Sequence, residues 1–210
     1  MDFAQPQGTR GACRIELEGG DALGALFPWF QSGVWVVLPS AMSVEDLLTR
    51  HWGLSRDFVE SRVGTVFLNG IPVDALDAAR LEDGDDLALS GPMPGLAGAI
   101  LRKNSPLAGL RHKQTHPMHA PSREASEMQR IRVKLFNQLI DDLGPVLLRR
   151  GILLERDQLL ECLRAWDQSA RPKPRRVLWN TEEVTLDYLS HELNNVSDDP
   201  ILIVGEPFLN

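Results

Sequence analysis

The sequence predicts an α+β protein in which one sheet-and-helix unit occurs twice. Three observations carry that prediction. Each half opens with apolar and charged residues in strict alternation, as in a strand with one buried face. An apolar stripe of helical period then follows the second apolar run of each half. The same order of turns and strands closes both halves.

The first half begins with Cys13-Arg14-Ile15-Glu16-Leu17-Glu18, and the second with Ile131-Arg132-Val133-Lys134-Leu135. Arg14 to Gly33 is nineteen residues, and Arg132 to Gly151 is nineteen again. Each glycine introduces a second strand, Val34–Leu38 or Ile152–Leu154, so the first two strands of each half are expected to form a hairpin. Gly19-Gly20 falls in the first of these hairpins and reads as a turn. Ser43 is placed to cap the next helix, with Asp46 in its first turn and Val44, Leu47, Leu48 and His51 on one face. In the second half Asp157 takes the capping role, and Leu159, Leu160 and Leu163 make the stripe. Nine residues separate Ser43 from Trp52, and nine separate Asp157 from Trp166.

A third strand follows in each half, Val66-Phe67-Leu68-Asn69 and Val177-Leu178-Trp179-Asn180. Asn69-Gly70 is a strong tight-turn pair because both residues tolerate positive φ; Asn180-Thr181 is a weaker one. Val73 and Val184 each stand four residues beyond their asparagine. The halves close with an acidic turn and a last strand: Gly84-Asp85-Asp86-Leu87-Ala88-Leu89 before Gly91-Pro92, and Asp198-Asp199-Pro200-Ile201-Leu202-Ile203-Val204 before Gly205. The offset between halves is 118 at the first strand, 114 at the helix and 111 at the third strand. Two loop deletions, of four and three residues, account for the drift.

Hairpin, helix, strand, turn, last strand is the β-grasp order. The expected architecture is two tandem ubiquitin-like β-grasp domains, each a mixed sheet with one main helix packed on one face. Charge divides the chain in the same way. Residues 1–100 carry six cationic and fourteen acidic side chains, 101–130 six and two, and 131–210 ten and thirteen. The first and last segments are read as the domains, and 101–130, with Pro106, Pro117 and Pro121, as a basic linker. Trp35, Phe67, Trp166 and Trp179 are expected to be core pieces of two small, thin cores.

At the level of motifs, Ile131-Arg132-Val133-Lys134-Leu135-Phe136 leading to Leu143-Gly144 resembles the opening of the small, sulfur-carrying subunit of molybdopterin synthase. Phe67-Leu68-Asn69-Gly70, Leu81-Glu82-Asp83-Gly84-Asp85 and Gly91-Pro92 resemble the closing half of that subunit and of the thiamine sulfur carrier. The resemblance implies a ubiquitin-like fold and a partner enzyme that handles sulfur carriers. Members of that family act through a C-terminal Gly-Gly tail that is adenylated and converted to a thiocarboxylate. Here the sequence departs from the family, because it ends Gly205-Glu206-Pro207-Phe208-Leu209-Asn210 and its single Gly-Gly is Gly19-Gly20.

Function is therefore expected to be non-catalytic: an adaptor or accessory subunit for a sulfur-transfer or molybdopterin- or thiamine-type assembly enzyme. The alternatives are a sulfur carrier activated by proteolysis near Gly95 or Gly98, and, behind it, a metal-binding enzyme using the linker histidines. The proposed partner-binding residues are Pro92, Met93, Pro94, Gly95, Leu96 and Gly98, in an apolar stretch that prolines keep extended. No cofactor is expected. His112, His116 and His119 are weak metal candidates, opposed by Pro117 and by neighbouring cations. Cys13 and Cys162 read as small core hydrophobes, and Asp83, Asp85 and Asp86 as a solvated turn. The net charge of −7 argues against nucleic-acid binding. Neither a signal peptide nor a membrane span is expected, nor a membrane as partner, and two distant cysteines suit a reducing cytoplasm.

Overall fold

Helices, not hairpin turns, fill the two nineteen-residue intervals. In the computed structural model, which describes residues 13–111, 128–168, 170, 172–195 and 201–206, strand β1 (Arg14–Glu18) is followed by helix α1 (Ala22–Ser32) and strand β2 (Val34–Leu38). Next come α2 (Val44–Asp46), a π-helical turn at Leu47–His51, α3 (Arg56–Arg62), β3 (Thr65–Leu68), β4 (Ile71–Pro72) and β5 (Asp86–Ser90). Helix α4 (Gly95–Leu101) and a 3-10 turn at Ala108–Leu110 precede β6 (Gln129–Phe136). The second half continues with α5 (Leu139–Arg150), β7 (Ile152–Leu154), α6 (Arg156–Gln168), β8 (Arg176–Trp179), β9 (Glu182–Glu183), α7 (Leu186–Leu193) and β10 (Ile201–Glu206). This is a mixed α/β fold, and among the described residues no helix is long and apolar enough to cross a membrane.

The two glycines that mark the repeat have a different job from the one the sequence suggests. Gly33 (φ 114°) and Gly151 (φ 98°) end α1 and α5. Their N–H groups donate back to Trp29 O at 2.7 Å and Leu147 O at 2.9 Å. A helix commonly stops at a residue with positive φ, which glycine adopts without a Cβ clash. Asp21 caps α1 by accepting from Gly24 N–H at 2.8 Å. Asp141 and Asp142 sit in the first turn of α5 and Arg149 and Arg150 in its last, complementing the helix dipole.

The chain falls into two units, Met1–Val36 with Asp141–Asn210, and Val37–Ile140. They do not coincide with the segments 1–100 and 131–210: the first strand belongs with the C-terminal half. In the discontinuous unit, β1 lies parallel to β10 (Ile15 opposite Ile203) and antiparallel to β8 (Ile15 opposite Trp179). β8 pairs with β9, β10 with β7, and β7 with β2 through Leu153 and Trp35. In the continuous unit, β3 pairs antiparallel with β4 and β5, and β5 pairs parallel with β6 (Leu87 opposite Val133).

One four-strand pattern thus recurs: hairpin, antiparallel neighbour, parallel neighbour. It is filled by β4, β3, β5 and β6 in one unit and by β9, β8, β1 and β10 in the other. Turn chemistry fixes the match. Asn69 N–H donates to Asp86 O and Asp86 N–H to Asn69 Oδ1, at 2.8 and 2.9 Å. Asn180 N–H donates to Arg14 O and Arg14 N–H to Asn180 Oδ1, both at 2.9 Å. Val73 N–H to Val66 O and Val184 N–H to Val177 O complete the correspondence. So β1 takes the place of β5, not of β6.

Packing follows the alternation. Ile15 and Leu17 are buried on β1, Leu87 and Leu89 on β5, and Ile131, Val133 and Leu135 on β6. Ser43 caps α2 by accepting from Asp46 N–H at 3.0 Å, and Val44, Leu47 and Leu48 are fully buried, with His51 half-buried. Helix α6 starts one residue before the expected cap, so Asp157 lies in its first turn, and Gln158 accepts from Glu155 N–H at 2.9 Å. Leu159, Cys162, Leu163 and Trp166 are buried and Leu160 half-buried. Of the four aromatics expected in the core only Trp166 is fully buried; Trp35, Phe67 and Trp179 are half-buried. Phe30 and Trp52 occupy core positions as well.

Candidate functional site

The residues that leave β5 build a strap on the continuous unit. Gly91, Pro92, Met93 and Pro94 are non-helical, and α4 begins at Gly95. The prolines therefore extend only the entry, and the expected extended stretch is helical from Gly95 onward. Proline can precede a helix at no hydrogen-bonding cost, since the first N–H groups have no partner within it. Gly98 is buried, and a Cβ there would stand 2.1 Å from Met93 O, closer than any side chain permits.

Five backbone and side-chain anchors then hold the strap. Lys103 N–H donates to Gly64 O at 2.9 Å, and Lys103 Nζ donates to Val59 O in the last turn of α3. Cations are favoured at such unpaired helix-end carbonyls. Burial pulls the Lys103 ammonium below its ordinary pKa, while the Glu60 carboxylate works in the opposite sense. Asn104 N–H donates to Asp74 Oδ1 at 2.8 Å, and Arg111 Nη1 pairs with Asp74 Oδ2 at 2.6 Å. Arg111 Nε also donates to Ile100 O at 2.8 Å, which closes the C-terminal end of α4. Spread over the sequence from position 59 to 111, these contacts were not visible in local pattern.

The strap's other side is apolar and open. Leu96 is 68% exposed and Leu110 65%, and Pro92, Pro94, Gly95 and Ala97 are exposed too; Met93 is half-buried. Helix α4 carries no charged residue. Of the six proposed contact residues, then, Pro92, Pro94, Gly95 and Leu96 face outward, whereas Gly98 serves the packing of the strap. Gly95 and Gly98, the proposed cleavage region, lie within α4.

The acidic turn is not merely solvated. Asp83 Oδ1 accepts from Arg130 N–H, and Asp85 accepts from Asn69 Nδ2 and Glu82 N–H, each at 2.7–2.8 Å. Asp86 Oδ2 meets Arg132 Nη2 and Lys134 Nζ, both at 2.7 Å. Burial would raise the Asp86 pKa, but hydrogen bonds and charge from Lys134 and Arg132 outweigh it and hold the carboxyl below its usual range. These carboxylates staple β5 to β6 and to the β3–β4 turn. Each of the three carboxylates is committed to contacts within the fold.

Cys162 is buried, and burial foremost pushes its thiol up to about 12, against a hydrogen bond from Trp29. It has the character of an inert core thiol. Cys13 is half-buried. Among the described residues no group of three or more His, Cys, Asp or Glu is placed to hold a metal ion. His112, His116 and His119 lie outside the described residues. A shallow depression of about 350 Å3 is lined by Ser40, Ala41, Met42, Asp46, Arg50 and His51, with Arg50 paired to Asp46 at 2.9 Å.

No protein-family model, no curated protein and no solved structure matches this chain.

Proposed function

We propose that this protein is a non-catalytic adaptor or accessory subunit that docks on another protein through the open face of the strap, at Pro92, Met93, Pro94, Gly95 and Leu96. The observation that carries the reading is Leu96, two-thirds exposed on a charge-free helix whose other side is anchored. An apolar side chain held outward on an ordered support loses little conformational freedom on binding, which favours association. Both units are read as β-grasp derivatives in which strands from the two halves of the chain have been exchanged. Their shared order of hairpin, antiparallel neighbour and parallel neighbour supports that reading. By the resemblance of its motifs, the partner is a sulfur-transfer or cofactor-assembly enzyme.

The test is co-purification of the full chain from its native host, with Gly95→Asp/Leu96→Asp alongside. Both positions are exposed, but Gly95 sits at φ 80°, where a side chain adds strain, so Leu96→Asp alone is run beside the double variant; each is expected to lose a specific partner. An unchanged set of partners removes the docking role. The position of Gly95 and Gly98 inside α4 weighs against a carrier released by cleavage there, because proteases act on locally unfolded chain.

A further inference from the structure

We propose that the strap is a releasable clasp on the continuous unit, with the Asp74 carboxylate as its latch. Residues 95–111 open together while β3, β5 and β6 stay folded, and the docking face exists only when the clasp is shut. This deepens the adaptor reading and rests on it, since it supplies a regulation of the same face. Two observations carry it. The first is how little of the strap lies in the core. From position 95 to 111 the one buried residue is Gly98, which has no side chain to contribute, and no residue of the 3-10 turn is buried. Segments that bury few apolar side chains are the ones that open locally, at a free energy below that of global unfolding.

The second is how the polar contacts are divided. Several stay within the strap: Ser105 Oγ donates to Ala99 O, Arg111 Nε to Ile100 O and Arg111 Nη2 to Arg102 O. Among the described residues, those that leave it end on Val59, Gly64 and Asp74. Val59 and Gly64 both accept from Lys103 alone. Asp74 instead uses both its oxygens, Oδ1 on Asn104 N–H and Oδ2 on Arg111 Nη1, and so ties down two points seven residues apart. The Arg111 side chain is only 11% exposed, so water is a poor substitute for a lost carboxylate. Because Arg111 also holds the Ile100 and Arg102 carbonyls, the grip of Asp74 reaches the C-terminal end of α4, the helix that presents Leu96. Detached, a helix of seven residues is too short to persist in water. Release of the latch therefore melts α4 and withdraws Leu96 from its outward position. The apparent affinity of the docking face is scaled by the latched fraction.

The experiment is hydrogen–deuterium exchange of the full chain by itself, read segment by segment in native buffer. In the unaltered protein, residues 95–111 are expected to exchange at least about tenfold faster than β5 and β6. Asp74→Ala is expected to speed the strap at least about tenfold more, the worth of one charged hydrogen bond, with β5 and β6 unchanged. Lys103→Met removes the Nζ contact with Val59 O and gives the same direction through a separate anchor, should Asp74→Ala fail to fold. A strap that exchanges no faster than β5 and β6 overturns the proposal. So does an Asp74→Ala strap that exchanges like the unaltered one, or a variant that speeds strap, β5 and β6 alike. No partner enters this measurement, so the clasp stands or falls separately from docking, which Leu96→Asp scores.

Discussion

Thr181 stands where its twin turn has glycine, and that difference gives a measurable defect. The two turns have the same backbone: Asn69 and Gly70 at φ 52° and 79°, Asn180 and Thr181 at φ 50° and 80°. A β-branched residue in the left-handed region costs about 1–2 kcal/mol, because Cβ crowds the following carbonyl. Replacing it by glycine removes that strain but frees the unfolded chain, which returns about 0.4–1 kcal/mol. Thr181 is exposed, so few contacts are lost with its side chain. Thr181→Gly is therefore expected to stabilise by about 0.5–1 kcal/mol, or about 1–4 °C in Tm for a chain of this size. The converse, Gly70→Thr, imposes the strain where a Cβ has nothing within 4 Å, so its cost is purely conformational. Urea unfolding followed by tryptophan fluorescence reads both, with Trp179 two residues from the first site. The midpoint is expected to rise for Thr181→Gly and fall for Gly70→Thr, at unchanged slope. A midpoint that stays or falls for Thr181→Gly refutes the assignment of strain.

Three further outcomes follow from the same structure. Asp86 has a folded pKa below its unfolded value of about 3.9, so its contribution is present above that value and is lost as pH falls through the folded one. Asp86→Asn is expected to cost about 1 kcal/mol at neutral pH, the group being partly exposed, and to flatten the acid limb of a stability–pH curve. Cys162 is expected to resist a thiol reagent at pH 8 in the folded protein and to react fully in urea; labelling at a free-thiol rate without denaturant contradicts its burial. Gly98→Ala drives a Cβ into the Met93 carbonyl and is expected to cost about 1–3 kcal/mol locally. Amide exchange reads this as faster exchange over Gly95–Leu101 with β5 and β6 unchanged; unaltered protection of α4 speaks against the close approach.

Local chemistry was legible in the sequence wherever it is closed within a few residues. The Ser43 cap, both asparagine turns, the stripes of α2 and α6 and the alternation of β1 and β6 are all present. The two helices α1 and α5 were readable in principle. Asp21 was available as a cap, and Leu139, Ile140, Leu143, Leu147 and Leu148 form a helical stripe that is fully buried. Pro28, Pro145 and Gly144 within these segments masked that signal, since proline and glycine ordinarily argue against a helix interior. That β1 lies beside β8 and β10, and β6 beside β5, was not readable, because alternation specifies which face of a strand is buried and not which strand lies beside it. For the strap, composition located Pro92–Gly98, whereas the anchors at Val59, Gly64 and Asp74 are long-range contacts with no local signature.

The pairing of Ile15 with Ile203 has a consequence for biosynthesis. At about 5–20 residues per second, β1 leaves the ribosome on the order of ten seconds before the strand it is to lie against. Meanwhile the run from Val37 to Ile140 is translated without interruption and is able to collapse on its own account. An apolar edge kept waiting that long is a target for wrong associations, so the nascent protein is expected to depend on a chaperone for the interval between its first strand and its last.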